Sequence, residues 1–228
     1  MNPLTATDRA VDAAARAAAH PTELAAADPL ALRVGVLAVQ GDYARHRQMI
    51  SALGFTAVEV RTVEQLRQVH CLIMPGGEST TMRKLLKLGG LWDAIPEFAR
   101  LHAIMGTCAG LILLGHAIIH GRPDEDTLDL IDIDSDRNAY GSQFHSFRQT
   151  GEVDIDGAAR PLEMVFIRAP RIARIGPRVE VLGRLGDEPT LVRQGNILAL
   201  TFHPEMTESA AVHSYFLNRV AAPALARR

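Results

Sequence analysis

The sequence predicts an α/β fold: a three-layer, doubly wound, mostly parallel sheet with an antiparallel or mixed addition. Three observations lead there. Short apolar runs such as 34–39 and 71–74 have strand length and no polar alternation, as strands buried on both faces require. Stretches with apolar residues at helical spacing separate these runs, the alternation that builds parallel sheets. Glycine and proline punctuate nearly every junction between them. With 228 residues, 47% of them hydrophobic, the chain can bury one substantial core.

Each element follows in order. After the strand at 34–39, Gln40-Gly41-Asp42 makes a turn that offers Asp42 as a helix cap. Tyr43, His46, Met49, Ile50 and Leu53 then recur at helical spacing until Gly54 stops them. A strand is expected at 57–60 and another at 71–74, the second ended by Pro75-Gly76-Gly77. Ser79 opens a helix with Met82, Leu85 and Leu86 inward, closed by Gly89-Gly90. A helix at 91–101 and a strand at 103–105 follow, then the apolar helix 111–114. Residues 128–193 read as short strands between glycines and prolines, the mixed addition. A buried strand returns at 197–202, and a last helix, capped near Thr207, turns Val212, Tyr215, Phe216 and Val220 to one side. Three regions result: an Ala-rich extension over 1–32, expected to be flexible, a body over 33–222, and a frayed end over 223–228.

Composition excludes several classes. A formal net charge of −2 leaves no footprint for nucleic acid or an anionic membrane. No apolar run approaches the roughly 20 residues that span a bilayer. Asp8, Arg9, Asp12 and Arg16 break up the start of the chain, where a signal peptide would need an unbroken apolar stretch. Two cysteines cannot build a disulfide scaffold, so a reduced, cytoplasmic protein is expected.

Three segments carry chemistry. Gly106-Thr107-Cys108-Ala109-Gly110 lies between a strand and a helix, a nucleophile elbow with cysteine in the serine position. Such a turn puts Cys108 at a helix start, which favours thiolate, and aims the Ala109 N–H at a developing oxyanion. Cys71, mid-strand and without glycines, reads as a small buried hydrophobe. In Phe202-His203-Pro204-Glu205, residues two apart on an extended chain share a side, so Glu205 can orient the His203 ring. Nucleophile, base and orienter complete an acyl-transfer triad. Alone, a His-x-Glu pair is weak; beside the elbow it gains weight. Nothing else falls at metal-ligand spacing, and no cofactor is implied. The third segment is Pro75-Gly76-Gly77-Glu78-Ser79-Thr80-Thr81. A phosphate cradle is one reading, but no Gly-Lys-Ser/Thr follows, and a second oxyanion donor near Gly77 suits acyl transfer better.

These segments, with Arg137-Asn138-Ala139-Tyr140-Gly141 and Val165-Phe166-Ile167-Arg168-Ala169-Pro170, occur in an order and spacing that resembles the glutaminase-subunit family of pyridoxal 5′-phosphate synthase. That family is a branch of the class I (triad) glutamine amidotransferases, and the resemblance covers about residues 33–220. It implies that Cys108 attacks the side-chain amide of L-glutamine, that His203 moves the proton, and that Glu205 orients His203. It maps glutamine holding onto Gly76, Gly77, Glu78, Ser79, Arg137, Ile167 and Arg168. It further implies that ammonia passes to a (β/α)₈ synthase subunit, in a large hetero-oligomer, making pyridoxal 5′-phosphate from ribose 5-phosphate and glyceraldehyde 3-phosphate. By charge, an arginine suits an amino acid's α-carboxylate and Glu78 its ammonium; the plainer alternatives are an ion pair for either arginine and a capping role for Ser79. Of the Arg-Gln and Ser-Gln pairs that family members often carry after the Arg-Asn-aromatic-Gly segment, this chain has Ser142-Gln143, whereas His145 and the N-terminal extension depart from the usual pattern. A stand-alone Cys/His hydrolase would share the elbow, and another amidotransferase is the nearest rival reading.

Overall fold

The computed structural model describes residues 32–122, 125–137, 146–155 and 157–226. Residues 1–31 of the N-terminal extension and Ser142, Gln143 and His145 lie outside these, while Leu32, the last residue of that expected extension, is buried in the core. Five strands form the parallel half of the main sheet: β1 (Arg33–Leu37), β2 (Thr56–Val60), β3 (Cys71–Met74), β4 (Ala103–Thr107) and β12 (Ile197–Leu200). Their order is β2-β1-β3-β4-β12. The sheet then continues antiparallel through β11 (Glu188–Gln194), β10 (Glu180–Leu185), β7 (Ser146–Asp154) and β8 (Ala159–Ile167). A second sheet joins β5 (Ala117–Ile119), β6 (Ile133–Asp136) and β9 (Arg171–Ile175). The mixed addition is therefore two structures: a small separate sheet and a four-strand extension of the main one. Its β7–β8 hairpin has nine residues in each strand, longer than the short pieces expected.

Side chains of the central strands alternate between two cores because the strand period is two. Val34, Val36, Cys71, Ile73, Met105, Leu198 and Leu200 enter one core, and Leu72, Met74, Ile104, Ile197 and Ala199 the other. The first core is covered by α1 (Tyr43–Ala52) and the C-terminal helix, the second by α3 (Ser79–Leu88), α4 (Leu91–Ala99) and α5 (Ala109–Leu114). A single-turn α2 (Val63–Leu66), closed by a capping box between Thr62 and Gln65, precedes β3.

Four local expectations need correction. Asp42 makes no side-chain cap on α1; it pairs with Arg45 at 3.2 Å. Glu78, not Ser79, caps α3, its carboxylate accepting from the N–H groups of Thr80 (3.0 Å) and Thr81 (2.7 Å). The last helix is not capped near Thr207, whose hydroxyl bonds Pro204 O at 3.0 Å; α6 (Ala211–Tyr215) starts later and runs into a π-helical turn, Phe216–Ala221. Finally, the expected fray over 223–228 is helical through Ala226 in α7 (Ala222–Ala226), with Ala224 and Leu225 packed on the first core.

Candidate active site

Four parallel strands end at one cleft. Beyond β1 come Gln40 and Gly41, beyond β3 Gly76–Ser79, beyond β4 Cys108, and beyond β12 His203. The carboxyl ends of such strands are where open α/β sheets bind ligands. The cleft has a volume of about 570 Å³ and is lined by Gly76, Gly77, Glu78, Ser79, Cys108, Arg137, Ile167, Arg168 and His203. Glu205 and Ala109 are buried behind this wall.

Cys108 joins β4 to α5 with φ 49° and ψ −103°, a conformation that L-residues seldom adopt. Close packing enforces it. A Cβ on Gly110 would lie 2.2 Å from the Met74 carbonyl oxygen, so only glycine lets α5 sit this near β3. The Cys108 N–H donates to Leu200 O at 2.9 Å, which ties the elbow to the strand leading to His203. Ala109 is the first residue of α5, so its N–H has no intrahelical acceptor.

His203 is fixed on every side. Its N–H donates to Val165 O at 2.8 Å, bringing the end of β8, and with it Ile167 and Arg168, over the site. The Cys108 thiol lies 3.8 Å from Ile167 O. A Cβ on Gly76 would fall 2.3 Å from His203 Cε1, so that glycine makes room for the ring. Nδ1 of His203 meets Glu205 Oε1 at 2.7 Å. The pair does not form along an extended chain as expected; Glu205 stands in a 3₁₀ turn, Pro204–Met206, that folds it under the ring. Burial opposes a charge on His203, but Cys108 and the Glu205 carboxylate outweigh it and hold its pKa up at about 10. Nε2 makes no well-aligned hydrogen bond among the described residues, which leaves it available to the Cys108 side of the ring.

The predicted substrate residues divide by what already holds them. Burial alone would raise the Glu78 carboxyl, yet its bonds to Thr81 and Thr80 bring it down to about 2. It is thus an anion at the cleft edge and a helix cap at once. Arg137 pairs in two-pronged fashion with Glu125, at 2.8 and 3.1 Å, and reaches Thr80 Oγ1 at 3.4 Å. Arg168 lines the cleft at φ 43°. Sequence reasoning missed Gln40, whose Oε1 accepts from the Glu78 N–H at 3.0 Å and packs on Gly77. Its place just beyond a parallel strand was the available signal. It also missed Glu125, which lies in a stretch without periodicity.

A sequence model of the SNO glutamine amidotransferase family matches residues 36–222. The chain belongs to that family. It is 47% identical over 186 residues to "Pyridoxal 5′-phosphate synthase subunit PdxT" of Thermus thermophilus, covering 81% of this chain and 95% of that protein. The protein of the same description from Corynebacterium jeikeium is 48% identical over 190 residues, covering 82% and 96%. A crystal structure described as a glutamine amidotransferase superposes with a TM-score of 0.75 at 46% identity, covering 81% of this chain and 96% of that one. A glutamine amidotransferase from Thermotoga maritima, 14% identical with a TM-score of 0.52, covers 76% of each chain and shares the fold. No helix among the described residues is long and apolar enough to cross a membrane.

Proposed function

We propose that this chain hydrolyses L-glutamine to L-glutamate and ammonia, and that the ammonia serves a pyridoxal 5′-phosphate synthase subunit with a (β/α)₈ fold. The observation that carries the reading is Cys108 at its positive-φ elbow, opening on a cleft beside a His203 ring held by Glu205 at 2.7 Å. The family model supports glutamine as substrate, and the relatives named as subunits of pyridoxal 5′-phosphate synthase support a synthase partner.

The chemistry follows from the geometry. Cys108 Sγ attacks the side-chain amide carbon while His203 carries the proton that the nucleophile gives up. The oxyanion takes N–H groups from Ala109 and Gly77. His203, which keeps its proton to about pH 10, then donates it to the departing nitrogen, leaving ammonia and a glutamyl thioester. Water, giving a proton to His203, releases glutamate and restores the starting pair of Cys108 and protonated His203. Arg168 offers a guanidinium to the α-carboxylate, while Arg137, bound to Glu125, shapes the adjoining wall.

The test is glutamate release by the full chain, alone and with the synthase subunit, and pyridoxal 5′-phosphate formation from ribose 5-phosphate and glyceraldehyde 3-phosphate. Stimulated release with cofactor formation is expected. Glutamate release that ignores the subunit, with no cofactor formed, would send the ammonia to another acceptor.

A further inference from the structure

Behind Glu205, away from the cleft, stand two histidines that the triad does not use. His46 comes from α1 and His213 from α6, 167 residues apart, and both are fully buried. His46 Nε2 lies 3.3 Å from Glu205 Oε2, the carboxylate oxygen that His203 leaves free. His46 Nδ1 lies 2.9 Å from His213 Nε2. Thr107 Oγ1, one residue before the nucleophile, is 3.5 Å from His46 Nε2. Asp42 and His203 also act on His46 through space, and burial keeps both histidines neutral.

Neutral imidazoles carry one N–H each, which decides the arrangement. If His46 Nδ1 bore the hydrogen, its Nε2 lone pair would face the Glu205 carboxylate, and His213 would bury an N–H at Nδ1. His213 Nδ1 has no hydrogen-bond partner among the described residues. An unpaired buried N–H beside a lone pair facing an anion is costly on both counts. The opposite arrangement removes both. His213 Nε2–H donates to His46 Nδ1, and His46 Nε2 carries its hydrogen within reach of Glu205 Oε2 at 3.3 Å and Thr107 Oγ1 at 3.5 Å. The contact with Glu205 is longer and less well aligned than the Glu205–His203 bond, yet it gives an otherwise unpaired, buried oxygen its N–H neighbour.

We propose that His46, its tautomer fixed by His213, is a positioning residue that holds the Glu205 carboxylate so that Glu205 can aim His203 at Cys108. The proposal rests on the Cys108–His203–Glu205 assignment. Two substitutions separate positioning from packing. A glutamine at 46 can carry an amide N–H near the Nε2 position, whereas an asparagine matches Nδ1 and leaves Glu205 Oε2 without a donor. The experiment measures glutamate release by full-length His46→Gln, His46→Asn, His213→Gln and Cys108→Ala with the synthase subunit present, together with melting temperatures. A hydrogen bond to a charged group is worth enough to change rates by about 10–100-fold. The expected result is a kcat for His46→Asn about 10-fold or more below wild type, with KM within about twofold, and His46→Gln and His213→Gln within about fivefold of wild type. Equal losses in His46→Gln and His46→Asn, or losses that follow melting temperature alone, would overturn the proposal. So would a change confined to KM. If Cys108→Ala still turned over glutamine, the triad assignment would fall and the proposal with it; if Cys108→Ala were dead and His46→Asn kept full kcat, only the proposal would fall.

Discussion

Cys71, on β3, and Cys108, just beyond the neighbouring β4, are almost equally hidden, 0% and 6% exposed. Cys71 opens β3, faces a core of Val34, Ile73 and Met105, and has its thiol pushed well up by burial. Cys108 lies past the other end of the sheet, at φ 49°, on the cleft and beside His203. Burial alone therefore does not set the proposed nucleophile apart from a core cysteine. Position does: the carboxyl end of a parallel strand supplies a turn, free N–H groups and neighbours from three other strand ends.

The largest effect that could break this contrast is Cys108→Ala, expected to lower kcat by at least about 10³-fold while leaving the melting temperature near wild type. Retained glutamate release would refute the assignment. His203→Asn is expected to be nearly as damaging, since base and nucleophile act as a unit. Glu205→Gln is expected to cost less, because an amide can still hold the ring. Steady-state kinetics that ranked Glu205→Gln below His203→Asn would reverse those roles. Arg168→Ala is expected to raise KM for glutamine about 10-fold, with an unchanged melting temperature, as loss of a charge-assisted contact should. Smallest is Cys71→Ala, which is expected to keep full activity and to cost about 1–2 kcal/mol in denaturant unfolding.

Stability against pH sharpens the comparison from another side. His203 is raised above its ordinary 6.5, so the stability its proton contributes is complete below pH 6.5 and is lost as pH rises towards about 10. His213 is lowered to about 3, so the stability gained by burying it neutral is complete above pH 6.5 and is lost as pH falls towards 3. Melting temperature is expected to fall on both sides. His203→Asn should flatten the alkaline limb and His213→Gln the acid one; unchanged limbs in these variants would assign the titrations elsewhere.

The parts of the site legible in the sequence are those written in consecutive residues. The elbow and the His-x-Glu segment each need a local pattern, and both lie where the alternation of strands and helices puts them. Glu78 shows the limit of that reading: whether it or Ser79 caps α3 depends on one carboxylate reaching two N–H groups, which spacing alone leaves open. His46 is visible on the inward face of a helix, but its meeting with His213 depends on packing across 167 residues. The β7–β8 hairpin reads as short pieces because most of its side chains are exposed, so little apolar alternation marks it.

The most direct test of Cys108 as the nucleophile is to locate where a glutamine-like electrophile bonds. The full chain, with its synthase partner, would be incubated with a diazoketone analogue of glutamine and digested for peptide mass spectrometry. Modification of Cys108, absent from Cys71 and prevented by excess glutamine, is the predicted result. Modification of Cys71, or inactivation with Cys108 left unmodified, would contradict it.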